Sequence, residues 1–230
     1  MPILRSPTLS LRARGPLAGF TRPELKVERV SYSVMTPSAA RGLLEAVLWK
    51  PAIAWHVERI RVLKEIKFTA FRRNEVNSKA SLPKAATIEN GGPVLPYFAD
   101  EDRAQRNAVA LSDVDYVVEA YFTMTDGAGP EDNMRKFVDM FNRRVEKGQH
   151  FHQPYLGCRE FVAEILPCEN PPAPIKESRD LGLMLWDIRF SDEGNTPIFF
   201  RARLENGVLE VPPDPEAALA AVGPDEGGEA

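Results

Sequence analysis

Two cysteines, three histidines and no apolar run of about 18 residues remove several large classes of protein from consideration for this 230-residue chain. Cys158 and Cys168 are too few for a disulfide framework at this length. Neither lies in a CxxC unit, and no zinc spacing appears. His150 and His152 stand at i and i+2 without an acidic or thiol partner at convincing spacing, so neither a metal nor a cofactor is expected. No GxGxxG, phosphate loop or triad signature is present, which leaves a small-molecule enzyme without its usual motifs. The opening MPILRSPTLSLRARG has no continuous apolar stretch of signal-peptide length and carries Arg5, Arg12 and Arg14. The chain is therefore expected to be a cytoplasmic protein with no membrane partner.

What is present is an ordinary globular composition, 43% hydrophobic and 27% charged, with an uneven charge distribution. The net charge is -4, but residues 1–84 hold 16 Lys+Arg and 6 Asp+Glu, while the rest hold 13 and 27. One reading is a polyanion partner for the basic part. The other is that charges segregated along the chain mix in the fold.

Hydrophobic periodicity supplies the elements. TLSLRAR (8–14) alternates like a half-buried strand, and VERVSYSV (27–34) reads as another. Thr36-Pro37 caps and starts a helix that runs to Lys50, where Pro51 stops it. Residues 52–71 and 114–124 are strand-like, separated by an excursion at about 74–107 that mixes loop and hairpin. Met134, Phe137, Val138, Phe141 and Val145 mark a helix over 131–147, closed by Gly148. Strands are expected at 159–166, 183–190 and 197–204, with Asn206-Gly207 as a hairpin turn. This order, strand-helix-strands twice over, predicts an α+β chain with a ferredoxin-like, RRM-like core. The core is expected over 1–150, a smaller C-terminal antiparallel β region over 151–211, and a disordered tail over 212–230.

Four clusters have the residue types that grip RNA, cations for phosphate and rings for bases. Phe20, Arg22, Lys26 and Arg29 occupy a Gly/Pro-bounded loop, where the cations either meet phosphates or balance Glu24 and Glu28. Lys64, Lys67, Arg72, Arg73 and Lys79 interleave with Phe68 and Phe71, either as an RNA-facing strand or as a solvated face over core aromatics. Lys136, Arg143 and Lys147 share a helix face. The fourth cluster, GQHFHQPYLGCREF (148–161), holds two of the three histidines, side chains suited to proton transfer near neutral pH.

FTRPELKVERVSYSVMTPSAARGLLEAVLWKPAI, FRRNEV, EDNMRKFVDMFNRRVEKG, FHQPYLGCREF and DLGLMLWDIRF resemble blocks of the type I-C (Dvulg) member of the CRISPR-associated Cas-five family, in order over about residues 20–190. The resemblance implies a RAMP protein on a ferredoxin-like fold. Its function would be to bind the 5′ handle of CRISPR RNA in a type I-C Cascade complex. Its partners would be the precursor repeat, the large and backbone subunits, and target DNA near the protospacer-adjacent motif. It further implies metal-independent cutting of precursor RNA by attack of a ribose 2′-OH on the adjacent phosphate. Carried over by position, the family's catalytic set falls on Leu48, Lys136 and Phe137, of which Lys136 alone matches. Two alternatives stay open: an endoribonuclease using Lys136 with help from His152, or a handle-binding and assembly subunit alone. Arg22, Lys26, Arg29, Arg72, Arg73 and Lys79 are the expected RNA-phosphate contacts.

Overall fold

The computed structural model describes residues 5–25, 28–78, 89–91, 98–191, 194–220 and 222. Strand β1 (Leu9–Ala18) buries Leu9, Leu11 and Ala13 on one face and turns Arg12 and Arg14 to the other, as the two-residue period requires. Helix α1 (Pro37–Val47) starts as expected: Thr36 Oγ1 accepts from the Ala39 N–H at 3.3 Å and Pro37 opens the first turn. It ends three residues before Lys50. Leu48 is extended (φ −144°, ψ 102°), and its carbonyl accepts the Trp55 indole N–H at 2.8 Å. Strands β3 (Ile53–Val62), β4 (Phe68–Val76) and β5 (Arg103–Met124) follow. Helix α2 (Met134–Glu146) is capped by Asn133, which accepts from the Lys136 N–H at 3.0 Å, and is released at Gly148 with φ +62°.

Strand β6 (Glu164–Pro167) completes a sheet whose first four members run β6-β1-β5-β3. With α1 after β1 and α2 after β5, this is the ferredoxin-like order. The RRM-like α+β expectation holds. Beyond the expected boundary at residue 150, β6 pairs antiparallel with β1. The sheet continues from β3 through β9 (Val208–Glu210) and β8 (Gly194–Glu205) to β7 (Arg179–Ser191). Asn206 (φ 48°) and Gly207 (φ 75°) make the turn between β8 and β9.

Two expectations change. The strand expected over 27–34 reduces to β2 (Arg29–Val30), paired in parallel with β5, because Ser31 and Tyr32 turn inward. The Tyr32 N–H there bonds to Phe20 O at 2.8 Å. The tail expected to lack structure contains a short helix, α3 (Pro215–Ala220). Asp214 accepts from the Ala217 N–H at 2.8 Å, and Ala218 is buried.

Both core helices lie on one face of the sheet. Phe137, Phe141 and Val145 of α2 pack with Trp55 and Phe122; the Trp55 ring centroid is 4.9 Å from Phe141 and 5.3 Å from Phe122. Burial of each such ring contributes about 1.5–3 kcal/mol. On the opposite face, His56 stacks on Tyr121 with centroids 5.0 Å apart and bonds Thr123 Oγ1 at 3.1 Å. Burial, and secondarily Arg41, lowers the pKa of His56 from its ordinary 6.5. The unfolded chain then binds the proton more readily than the folded one, so stability is full above 6.5 and declines as pH falls toward the lowered value. His56→Gln is expected to flatten the urea midpoint between pH 7 and 5; an unchanged slope would show that His56 does not titrate there.

Candidate nucleic-acid interface

The first half of β5 leaves the core and pairs with β4 as a two-stranded arm, Phe68 opposite Leu111 through Val76 opposite Arg103. The two faces of this arm differ. Phe71, Arg73 and Glu75 turn toward the 155–163 loop, where the Phe71 and Phe161 ring centroids stand 6.3 Å apart, edge to face. Arg72, Asn74 and Val76 share the other face with their cross-strand partners Asn107, Gln105 and Arg103, beside a half-exposed Phe68. Among the described residues no carboxylate pairs with Arg72 or Arg103.

Of the expected phosphate contacts, two come together. Arg29 and Arg73 meet around Glu75, at 3.3 and 3.1 Å, and around Glu160, at 3.9 and 3.0 Å. Arg106 joins Glu75 at 3.5 Å. Three guanidiniums thus surround two carboxylates. Arg72, one residue from Arg73, points to the opposite face of the strand, as alternation requires. Arg22 stands apart, its guanidinium 4.5 Å from the centre of the Tyr32 ring and 3.4 Å from Glu24. Lys26 and Lys79 lie outside the described residues. The described cations among the expected contacts therefore lie on two sides of the arm and, for Arg22, off it. Phe20, offered as a base-stacking ring, is 2% exposed and packs edge-on against Tyr116. Arg103 and Arg106 were missed by the sequence reading; the alternation in RAQRNAV was the available signal, hidden by treating the segment as an excursion.

The expected proton-transfer set does not assemble. Lys136 sits in the first turn of α2, its Nζ 2.9 Å from Asp132 Oδ1. That hydrogen bond, more than any other effect, holds the Asp132 carboxyl below its usual range. His152 lies past the far end of α2, beside the Glu45 carboxyl, which burial pushes upward. Lys136 lies in the first turn of α2 and His152 beyond its last, with a rise of about 16 Å from Lys136 to Lys147 between them. Leu48 is 0% exposed and Phe137 2%. Among the described residues no group of three or more His, Cys, Asp or Glu side chains is arranged to hold a metal, and no helix is long and apolar enough to cross a membrane.

The sheet face opposite the helices is the one on which an RRM stacks bases. It is covered by the chain's own ion pairs. Arg12 grips Asp115 through Nε (2.9 Å) and Nη2 (2.5 Å), Arg14 grips Glu164 at 2.7 Å, and Arg59 and Arg61 share Glu119 at 2.7 and 2.5 Å. Val117, opposite both Arg12 and Arg61, is fully buried among these side chains. This part of the face therefore presents guanidinium edges, and the stacked His56–Tyr121 pair on the same face lies beside the Arg5 guanidinium, 4.8 Å from the Tyr121 ring centre.

Residues 8–212 match the family described as CRISPR-associated protein (Cas5), in its Cas5d form. The chain is 50% identical over 214 residues to the CRISPR pre-crRNA endoribonuclease Cas5d of Mannheimia succiniciproducens, covering 89% of this chain and 95% of that protein. It is 39% identical over 222 residues to the protein of the same name from Thermus thermophilus, covering 89% and 91%. A crystal structure of a CRISPR-associated protein superimposes with a TM-score of 0.67 at 20% identity, over 91% of this chain and 94% of that one, which shows a shared fold.

Proposed function

The chain belongs to the CRISPR-associated Cas5 family, in its type I-C form Cas5d, and from that premise we propose that it is the subunit of a type I-C Cascade complex that holds precursor CRISPR RNA by its repeat. The observation that carries this reading is the 50% identity, over nearly its whole length, to a protein named as a pre-crRNA endoribonuclease. The arm formed by β4 and β5 supports it physically. Arg72 and Arg103 have no carboxylate partner among the described residues, and Asn74, Gln105 and Asn107 stand between them as hydrogen-bonding side chains. Arg29, Arg73 and Arg106 are held ready on the other side, in geometry set by Glu75 and Glu160. Guanidinium groups match phosphate geometry bidentately. On this reading the repeat-derived 5′ handle lies along the arm, and the large and backbone subunits of the complex are the protein partners.

Phosphate-dominated binding has a salt signature. With about five phosphate contacts and a slope near −0.7 per contact for single strands, affinity for repeat RNA is expected to fall about 100-fold between 50 and 200 mM salt. Changing Arg29, Arg72 and Arg73 to alanine should reduce the slope by about 2. A slope near zero in the unmodified protein would defeat the RNA assignment.

A second reading, in which the chain holds the handle without cutting it, is favoured by one specific observation. The two positions that should transfer protons are Leu48 and Phe137, both sealed in the core. Incubation with repeat RNA in EDTA separates the readings. A defined product lost in Lys136→Ala supports cutting by this chain; intact RNA with binding retained supports a binding subunit alone.

A further inference from the structure

Two rings stand out of the surface where both core helices end. Trp49 is 60% exposed and Phe151 83%. Neither hangs on a loose segment. The Leu48 carbonyl accepts the Trp55 indole N–H at 2.8 Å, and the Pro51 carbonyl accepts Thr125 Oγ1 at 2.5 Å, which fixes the chain on both sides of Trp49. The Phe151 N–H bonds Ala46 O at 2.8 Å, and Arg144 Nη1 bonds Val47 O at 2.7 Å, so the 148–152 loop is tied to the end of α1. Three hydrogen bonds, to the carbonyls of Ala46, Val47 and Leu48, thus hold both rings against one helix end.

The surroundings are cationic. Lys50 follows Trp49, and Arg143 and Lys147 are successive exposed positions on α2 next to Arg144. Among the described residues neither Arg143 nor Lys147 pairs with a carboxylate, while Lys50 lies within electrostatic reach of Asp132 at the start of α2. An apolar protein partner would leave these charges desolvated and unpaired at a cost. A nucleic-acid strand satisfies both features, since bases stack on rings and phosphates meet cations. Resting on the repeat-binding function proposed above, we propose that Trp49 and Phe151 form a stacking platform for unpaired nucleotides of the repeat RNA, with Lys50, Arg143 and Lys147 neutralising its backbone. The platform lies at the ends of α1 and α2, separate from the arm of β4 and β5, so one RNA engages the protein at two places.

The chain has three tryptophans, of which Trp55 is buried and Trp186 half-buried with its indole N–H on Pro212 O. Indole fluorescence that responds to added RNA therefore reports mainly on Trp49. The experiment titrates the full chain with a single-stranded repeat oligonucleotide, reading fluorescence and, separately, filter binding. The expected result is quenching in the unmodified protein, and loss of the quench in Trp49→Phe with affinity within about twofold. Binding should weaken on the order of 100-fold in Trp49→Ala/Phe151→Ala at unchanged thermal stability, because each ring contributes about tenfold. Wild-type affinity in the double variant, together with no quenching in the unmodified protein, would overturn the platform while leaving the repeat-binding function standing, and would give the patch to a protein subunit. No RNA binding by the unmodified protein would remove both.

Discussion

Phe137→His, which returns the family's proton-transfer residue to its own position, is expected to cost the fold about 3 kcal/mol and to bring no cleavage activity. The ring of Phe137 is 2% exposed and meets Phe122 edge to face at 6.3 Å, with Phe141 and Trp55 completing the cluster. An imidazole there loses part of that contact and buries polar ring nitrogens, each unmet polar group costing about 1–3 kcal/mol. Its desolvation also holds it neutral, away from any RNA phosphate. For a chain of this size, 3 kcal/mol lowers the melting temperature by about 6–12 °C. Leu48→Tyr is expected to behave similarly through overpacking, at about 1–3 kcal/mol, because Leu48 is fully buried. Thermal unfolding and an EDTA repeat-cleavage assay read both effects. Unchanged stability together with new cleavage would mean that the substituted side chains reach solvent and that a live active site lies beneath the present core.

The same residue shows what was legible in the sequence. Met134, Phe137, Phe141 and Val145 announced a buried helix face by their spacing, so the periodic pattern already placed Phe137 inside. The cap at Thr36-Pro37 and the turn at Asn206-Gly207 were equally local and equally readable. Contacts between distant segments were not. Arg12 meets Asp115 across 103 positions and Arg14 meets Glu164 across 150. Arg61 meets Glu119, and Arg73 meets Glu160. All four pairs join the basic first 84 residues to the acidic remainder. The charge asymmetry that pointed to a polyanion is thus partly consumed inside the fold, which was the plainer of the two readings. On the proposed reading, what remains for RNA is the excess left after this pairing, at Arg72, Arg103, Lys50, Arg143 and Lys147. That remainder depends on sheet register, which charge counts along a chain do not contain. Phe20 failed for a related reason: its loop is Gly- and Pro-bounded, but its backbone pairs with Tyr32 and carries the ring inward onto Tyr116.

Glu119 gives the sharpest test of that internal pairing. It is 4% exposed, accepts from Arg61 Nε at 2.5 Å and is ion-paired with Arg59 at 2.7 Å. Removing one partner of a buried ionic group costs about 3–5 kcal/mol when the remaining charge stays desolvated. Arg59 and Arg61 keep 39% and 27% of their side chains exposed, so water recovers part of the loss. Glu119→Ala is therefore expected to destabilise the fold by about 2–3 kcal/mol, and Glu119→Gln, which keeps shape and one acceptor, by less. Both variants free two neighbouring guanidiniums on the sheet face opposite the helices. Weak, sequence-independent RNA binding should rise at low salt as stability falls, since each released cation adds a phosphate contact. Opposite movements of stability and RNA affinity distinguish this from simple unfolding, which lowers both. If neither quantity moves in Glu119→Ala, the carboxylate does not hold the two arginines, and the ionic cover of that face is not what closes it to RNA.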